Sequence, residues 1–234
     1  MTDVWAEAQA ETLRRMERAV AYNAWLLERS EPYLGRDVVD VGAGSGTFAE
    51  KVADGTRRVV ALEPEPEVQP TLRRRFAGRS DVRVEPLDAG ALGDAHPESF
   101  DTAICFNVVE HIADDAGAVA AVARALRPGG HLLLLVPAHP FLFGELDRAL
   151  GHQRRYRRGD VSRLLDAAGL AAVELRHVNP VCALCWVVAA RVLRRDRIPE
   201  PPLRAFDRAV PLLRRLDRVD AGFGLSLWAV ARRG

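Results

Sequence analysis

The chain has 234 residues, 48% of them hydrophobic and 28% charged, which is ordinary for one soluble globular domain with a well-buried core. Its formal net charge of +1 excludes the strongly basic balance typical of nucleic-acid binding, so we expect no nucleic-acid partner. Three cysteines, an odd and low number, exclude a disulfide framework and suit a reducing cytoplasm.

The N-terminal segment predicts a helix and not a targeting signal. Apolar residues recur at helical spacing over about residues 5–30, and Pro32 ends that pattern. No basic stretch followed by an apolar core is present, so we expect no signal peptide and a cytoplasmic protein. We interpret residues 1–36 as a helical cap on the domain that follows.

Short apolar runs and amphipathic runs then alternate along the chain. The predicted strands lie at residues 37–41, 59–62, 82–84, 101–106, 131–136, 173–178 and 225–231. The predicted helices lie at about residues 46–53, 68–77, 115–126 and 161–168. This alternation is typical of right-handed βαβ units and a doubly wound parallel sheet. We therefore predict one α/β domain over residues 1–234, with its cofactor-binding core at 37–136.

Two long segments, 137–159 and 179–222, do not fit the minimal sheet. Long excursions in compact domains are usually functional or disordered, so we interpret both as a substrate-binding lid that is helical in part. In the second, Val181–Val192 is strongly apolar and arginines follow it. That run is shorter than the roughly 20 residues that span a bilayer, which leaves core or lid packing and peripheral membrane contact as alternatives.

The most informative motif lies at the end of the first predicted strand. Val38–Phe48 reads V-V-D-V-G-A-G-S-G-T-F, a strand followed by a glycine turn and the positive end of a helix. A dinucleotide fingerprint would place its third glycine at position 47, but Thr47 stands there and the third glycine is Gly46. The spacing D-x-G-x-G-x-G resembles the first motif of the class I S-adenosylmethionine-dependent methyltransferases.

The resemblance implies cofactor contacts near the carboxyl ends of the first four strands. A carboxylate at Glu63 would accept hydrogen bonds from the ribose hydroxyls. Asp88 would face the adenine and Asn107 the methionine part, and Tyr22 would cover that part from the N-terminal helix. The alternatives are a solvated turn acid at Glu63, an Asx turn at Asp88 and simple packing at Tyr22. The implied cofactor-binding set is Tyr22, Asp40, Gly42, Ala43, Gly44, Gly46, Glu63, Pro64, Asp88, Ala89 and Asn107.

The densest polar cluster follows the fifth strand, where ligands bind in open α/β sheets. His139 and His152 are candidate general bases because imidazole titrates near neutrality, and Asp147 is a candidate to orient one of them. The segment resembles the pattern P-x-H-P…D…G-H-x-R-R-Y of bacterial methyltransferases often encoded beside glycosyltransferases. We expect substrate contacts from Arg154, Arg155 and Tyr156, with a merely solvated loop as the alternative.

Glu110 and His111 raise the question of a metal. Some ubiquinone-pathway and small-RNA methyltransferases, which the chain resembles here, hold a divalent cation with E-x-x-E-H. Asn107 stands in place of the first glutamate, and loss of a hard anionic ligand weakens a Mg²⁺ site. We therefore expect no metal and a structural Glu–His pair at a helix start.

The family resemblance implies a Rossmann-like, mostly parallel sheet of seven strands in the order 3-2-1-4-5-7-6, with the last strand antiparallel. It implies methyl transfer from S-adenosylmethionine to a small-molecule, glycan or lipid-linked acceptor, on oxygen or nitrogen more than on carbon. Two classes stay open, an NAD-dependent oxidoreductase and a non-catalytic cofactor-binding protein. The sequence sets neither the acceptor nor the oligomeric state.

Overall fold

A computed structural model describes residues 19–180, 210 and 222–234. Its strands are β1 Asp37–Val41, β2 Arg58–Leu62, β3 Val82–Glu85, β4 Phe100–Phe106, β5 Leu126–Pro137, β6 Leu170–Val178 and β7 Ser226–Arg233. Its α-helices are α1 Val20–Ser30, α2 Thr47–Val52, α3 Gln69–Arg75, α4 Leu92–Ala95, α5 Asp115–Ala125, α6 Glu145–Ala149 and α7 Arg158–Ala167. Short 3-10 turns cover Glu31–Tyr33, Val109–His111 and Pro140–Leu142.

The described strands form one seven-stranded sheet in the order β3-β2-β1-β4-β5-β7-β6. Neighbours from β3 to β5 pair in parallel, and β7 pairs antiparallel with both β5 and β6. The order and the antiparallel last strand expected from the family resemblance are confirmed. Because β6 runs with the parallel strands, the carboxyl ends of β1 to β6 meet at one edge of the sheet, where ligands bind in this architecture.

Both faces of the sheet are buried, since neighbouring residues along each strand belong to different core clusters. Val39 and Leu134 pack with α5 and α7 on one face, whereas Val38 and Leu135 pack with α1, α2 and α3 on the other. Strands covered on both faces read as continuous apolar runs, which is why the fifth strand stood out in the sequence.

The boundaries of β5 differ from the prediction. The predicted strand begins at His131, but the observed one begins at Leu126, which pairs with Phe100 before the register shifts. Gly129 has a φ of +81°, so the Pro-Gly-Gly sequence makes a bulge inside the strand. The strand starts early because α5 ends at Ala125 and the chain enters the sheet at once.

The segment 137–159 is folded against the body and not extended into solvent. It contains a 3-10 turn and α6, and buried side chains such as Leu142, Leu146 and Tyr156 anchor it. Its function as a lid stays a prediction. Most of the second predicted lid segment, including 181–197, and the cap before residue 19 lie outside the described residues. Within the described part of the chain, no helix is long and apolar enough to cross a membrane.

Candidate active site

The glycine turn after β1 leaves no room for side chains at two of its three glycine positions. Gly42, Gly44 and Gly46 have φ values of +67°, +56° and +88°, which L-residues with a Cβ rarely adopt. A Cβ on Gly42 would lie 2.7 Å from Val108 Cγ2, and one on Gly46 would lie 2.6 Å from the Phe76 ring. Steric exclusion therefore explains these two glycines.

Glu63 follows β2 and points back at the glycine turn. Its Oε2 accepts a hydrogen bond from the Gly44 N–H at 2.8 Å, and its Oε1 accepts one from the Glu65 N–H at 3.0 Å. The side chain is buried, and burial raises the pKa of Glu63 although these two N–H groups oppose the shift. The carboxylate is therefore fixed beside the turn and is not a solvated turn acid, and its ribose contact stays a prediction.

Asp40 is the penultimate residue of β1, and its side chain connects the strand to the helix that follows. Its Oδ2 accepts a hydrogen bond from the Ala49 N–H at 3.0 Å, and the Ala43 N–H donates to the Leu62 carbonyl at 2.7 Å. Burial raises the pKa of Asp40 to about 7, and the charge of Glu63 adds to the increase. Asp40 therefore stabilises the conformation of the glycine turn by joining the elements on either side of it.

The positions after β2 and β3 are more open. Pro64 and Asp88 are exposed, and Ala89 is buried. The Asp88 Oδ1 accepts a hydrogen bond from the Ala91 N–H at 2.9 Å, which is the turn-forming contact named as the alternative for this residue. The turn presents Asp88 at the same edge as Glu63, so its adenine contact stays a prediction.

Asn107 and Tyr22 approach the edge from two other elements. Asn107 follows β4 with a φ of +55°, a region that asparagine tolerates, and its N–H donates to the Leu135 carbonyl at 2.8 Å. The buried Tyr22 hydroxyl of α1 accepts a hydrogen bond from Asn179 Nδ2 at 3.1 Å, directly after β6. The N-terminal helix therefore reaches the carboxyl edge of the sheet.

Asp147 is the centre of the polar cluster after β5. Its fully buried carboxylate accepts hydrogen bonds from Arg155 Nε at 2.8 Å and the Gly144 N–H at 3.0 Å, and lies 2.9 Å from His152 Nδ1. Burial alone would raise the pKa of Asp147, but His152 and Arg155 outweigh it and lower the pKa. The predicted contact in which Asp147 orients a histidine is present, with His152 as that histidine.

His152 also meets the Glu–His pair that follows β4. Its Nε2 lies 3.9 Å from Glu110 Oε1, and its ring centroid lies 4.9 Å from that of His111. Burial raises the pKa of Glu110 to about 8, which its own N–H and the charge of Arg155 offset only in part. Burial also lowers the pKa of His111 to about 4. One ligand atom from each of the three residues lies within 4.8 Å of the others.

His139 lies in a separate aromatic group at the end of β5. Its ring stacks on His177 at 5.0 Å and on Phe223 at 4.9 Å, and its Nε2 accepts a hydrogen bond from the Gly224 N–H at 3.4 Å. Burial lowers the pKa of His139, and the positive charges around it, His177 and Arg155, lower it further. The lowered pKa favours the neutral imidazole, whose Nε2 lone pair accepts from the Gly224 N–H in this structure.

The three residues predicted to contact substrate all have partners within the chain. Arg154 pairs with Asp115 Oδ1 at 2.8 Å, and the Tyr156 hydroxyl donates to Asp115 Oδ2 at 2.8 Å. The buried Arg155 bonds Asp147 and donates to the Ala138 carbonyl at 3.2 Å. These contacts hold the segment in place, and a substrate contact from any of the three stays a prediction.

Sequence reasoning missed three residues of this edge. Asp115 pairs with two predicted site residues, His177 stacks on His139, and Asn179 bonds Tyr22. The only signal for Asp115 was its place at the start of a predicted helix. His177 and Asn179 lie at the end of the sixth strand, and the carboxyl ends of the strands are where ligands bind in this architecture.

The sequence is similar to a known protein family and to several of its members. Residues 39–134 match the family model described as a methyltransferase domain. An Aliivibrio fischeri ubiquinone biosynthesis O-methyltransferase is 31% identical, over 67% of this chain and 74% of that protein. A probable S-adenosylmethionine-dependent methyltransferase of Mycolicibacterium smegmatis is 35% identical over 58% of this chain, but the match spans only 52% of that relative.

The structural comparison agrees on the fold. A chain from the complex of the Haloferax volcanii Trm112 methyltransferase activator with a methyltransferase has a TM-score of 0.69 at 21% identity, covering 98% of this chain and 97% of that one. The fold is an open, doubly wound α/β sheet with a glycine turn after its first strand. The chain belongs to the class I S-adenosylmethionine-dependent methyltransferases, and its cofactor is S-adenosylmethionine.

Proposed function

We propose that this enzyme transfers the methyl group of S-adenosylmethionine to a hydroxyl or amine of a small-molecule acceptor. The observation that supports this proposal is that the two halves of the carboxyl edge have different chemical character. The glycine turn and Glu63 lie on the β1 and β2 side, and a histidine-rich polar group lies on the β4 and β5 side. One half suits a nucleoside cofactor and the other suits a polar acceptor.

The residues of the glycine edge fit the cofactor. The turn from Gly42 to Gly46 follows β1 at the carboxyl edge, and Glu63 presents its carboxylate there, where ribose hydroxyls would donate. Asp88, Asn107 and Tyr22 complete the proposed cofactor site around it. When bound, S-adenosylmethionine supplies a methyl group already activated on a sulfonium, so the protein contributes mainly positioning and exclusion of water.

His139 is the group that we propose accepts the acceptor's proton. Its lowered pKa favours the neutral imidazole, and the residue lies two positions beyond β5 with a φ of +62°. The Asp147–His152 pair is the second candidate base, because the carboxylate fixes Nδ1 and leaves Nε2 for a proton. Either base matters only where the acceptor must lose a proton.

An oxygen acceptor is the first choice. The Aliivibrio fischeri relative is named for O-methylation in ubiquinone biosynthesis, which supports a hydroxyl acceptor for this chain. The arginine-rich segment after Val192 supports a second possibility, an acceptor carried on a glycan or lipid and met at a membrane surface. Liposome flotation of the chain with and without 181–197 tests this, and no lipid association in either form contradicts it.

The test of the function uses titration calorimetry and then a labelled cofactor. We expect S-adenosylhomocysteine to bind and NADH not to bind, with Glu63→Ala weakening the former. Deuteromethyl-labelled S-adenosylmethionine is then offered with panels of phenols, sugars and amines, and mass spectrometry finds the labelled product. Binding of NADH alone contradicts the proposal.

His139→Gln separates catalysis from binding. We expect kcat to fall by roughly 10²–10⁴ with S-adenosylhomocysteine affinity unchanged, because general-base catalysis contributes about that much. His96→Gln, at a partly buried histidine–glutamate pair outside the site, is the matched control. An unchanged kcat in His139→Gln moves the base role to His152.

A further inference from the structure

We propose that Glu110, His111 and His152 bind one divalent transition-metal ion, of the class that Zn²⁺ represents. The inference starts from Glu110, whose side chain is fully buried in the 3-10 turn after β4. Neither of its carboxylate oxygens has a hydrogen-bond partner among the described residues. Burying a carboxylate without hydrogen-bond partners costs free energy, so we expect a positive group, such as a metal ion, beside it.

The two histidines converge on that carboxylate from different segments. His152 Nε2 lies 3.9 Å from Glu110 Oε1, and the ligand atoms of the three residues all lie within 4.8 Å of one another. Ligand atoms around a tetrahedral zinc are separated by roughly 3.3 Å, given metal–ligand bonds of about 2.0–2.1 Å. A small contraction of the cluster therefore produces a coordination sphere.

Each histidine is already oriented through its surroundings. The 2.9 Å contact of His152 Nδ1 with Asp147 Oδ1 leaves Nε2 directed at Glu110, and the His111 ring hydrogen-bonds with the backbone of Gly151. A metal-binding histidine almost always donates its other ring N–H to a carboxylate or a backbone carbonyl. The carboxylate–histidine arrangement of Asp147 and His152 is the outer part of such a site.

The donor set decides which metal is expected. Two imidazoles and one carboxylate suit zinc, manganese or iron, whereas Mg²⁺ and Ca²⁺ prefer oxygen ligands alone. The absence of a glutamate at position 107, which argued against Mg²⁺ in the sequence, does not weigh against this set, because His152 supplies the third ligand from the segment after β5. Three protein ligands leave a position for water or an acceptor oxygen.

The competing explanation is a proton. Burial raises the pKa of Glu110 to about 8, so a neutral acid is the other way to remove the unpaired charge. The two explanations differ in what Glu110→Gln does. Glutamine has the shape of the neutral acid but is a poor metal ligand, so it preserves the fold under the proton explanation and loses the ion under ours.

The experiment measures metal content and stability, not activity. The full chain without a histidine tag is stripped with a chelator, offered Zn²⁺, Mn²⁺ or Mg²⁺ separately, passed through gel filtration and analysed by plasma mass spectrometry. We expect about one retained equivalent of Zn²⁺, an increased thermal unfolding midpoint and no retained Mg²⁺. His96→Gln, the control at a partly buried histidine outside the cluster, should retain the ion.

Glu110→Gln and His152→Gln should lose the retained Zn²⁺, and Asp147→Asn should weaken Zn²⁺ binding by roughly 10–100-fold. Visible absorption of the Co²⁺ form of the wild-type protein tests coordination without any variant. No retained metal in the wild-type protein, or unchanged retention in Glu110→Gln, overturns the proposal.

A function for the ion in holding an acceptor oxygen rests on the proposed methyl transfer, but metal binding does not. With the ion bound, His152 Nε2 is a ligand and cannot accept a proton, so the general base is then His139 and not the Asp147–His152 pair. Titration of the same preparations with S-adenosylhomocysteine keeps the two proposals separable. If the protein binds S-adenosylhomocysteine but retains no metal, only the metal site is contradicted. If it retains the metal but does not bind S-adenosylhomocysteine, only the proposed methyl transfer is contradicted.

Discussion

The two halves of the carboxyl edge are built by different physical means. Around β1 and β2 the backbone makes the site, since Gly42 and Gly46 hold left-handed conformations against packed side chains and Glu63 bonds main-chain N–H groups. Around β4 and β5 side chains make the site, since Glu110 and His152 come from segments 42 residues apart along the chain. The first half is local in sequence and the second is not.

This difference sets how each half fails. A substitution in the glycine half introduces atoms where the backbone and neighbouring side chains leave no room. A substitution in the polar half removes one member of a buried network and leaves another charge without its partner. The four predictions below test this contrast, with the smallest expected effect on unfolding free energy last.

Asp147→Ala should cause the largest loss. The Asp147–Arg155 pair is buried, with side-chain exposures of 0% and 1%, so removing the carboxylate strands a buried guanidinium. Breaking a buried pair in this way costs about 3–5 kcal/mol. Urea denaturation with a chelator present measures the loss apart from any metal.

The matched control for this prediction is Glu145→Ala in the same helix. Glu145 pairs with Arg148, but both side chains are exposed, at 68% and 57%, so the expected cost is about 0–1 kcal/mol. Equal losses in the two variants would contradict the idea that burial makes the polar half fragile.

Asp40→Asn should change the pH dependence of stability. The pKa of Asp40 rises from 3.8 to about 7 on folding, so between those values the folded state holds a proton that the unfolded chain releases. The contribution of Asp40 to the unfolding free energy therefore falls as pH rises through this window. Because asparagine does not titrate, the unfolding free energy of the variant should rise relative to that of the wild-type protein, by about 3 kcal/mol from the lower to the upper end of the window.

Urea denaturation of both proteins from pH 4 to pH 7 checks this, and parallel curves would contradict it. Asp54→Asn is the control, because the Thr56 hydroxyl and backbone N–H lower the pKa of that exposed carboxylate to about 2. Its pKa lies at or below 3.8 in both the folded and the unfolded chain, so its curve should run parallel to that of the wild-type protein above about pH 5.

The same contrast explains what the sequence could predict. The strand pattern and the glycine spacing are local, so the elements and the cradle from Gly42 to Gly46 followed from neighbouring residues, while the strand order came from the resemblance. The contact of Asp147 with His152 was also within reach, since five positions separate them. The pairing of Tyr156 with Asp115 was not, because it depends on how α5 packs beside the segment after β5.

Gly42→Ala should test the steric half. A Cβ at this position lies 2.7 Å from Val108 Cγ2 in a backbone with a φ of +67°, so the substitution combines overpacking with strain. Gly78→Ala is the matched control, since Gly78 has a φ of +81° with nothing within 4 Å of the added Cβ. The strain of about 1–2 kcal/mol is common to both variants.

The overpacking, about 1–3 kcal/mol, is expected only in Gly42→Ala, and with it the loss of S-adenosylhomocysteine binding. Denaturation and calorimetry on the two proteins measure both effects. Cofactor binding that survives in Gly42→Ala would remove the glycine turn from the site.

Tyr156→Phe should have the smallest effect and is the sharpest test of whether the polar half contacts substrate. The phenol is buried and its hydroxyl donates to Asp115 at 2.8 Å, so removing the oxygen costs about 1 kcal/mol of stability. If Tyr156 only anchors the segment, kcat/KM at a temperature far below unfolding should stay within about twofold of wild type, because the folded population is unchanged. If the hydroxyl also contacts the acceptor, as the sequence predicts, KM rises by an amount that the small loss of stability cannot produce. The polar half would then be a binding surface as well as a scaffold.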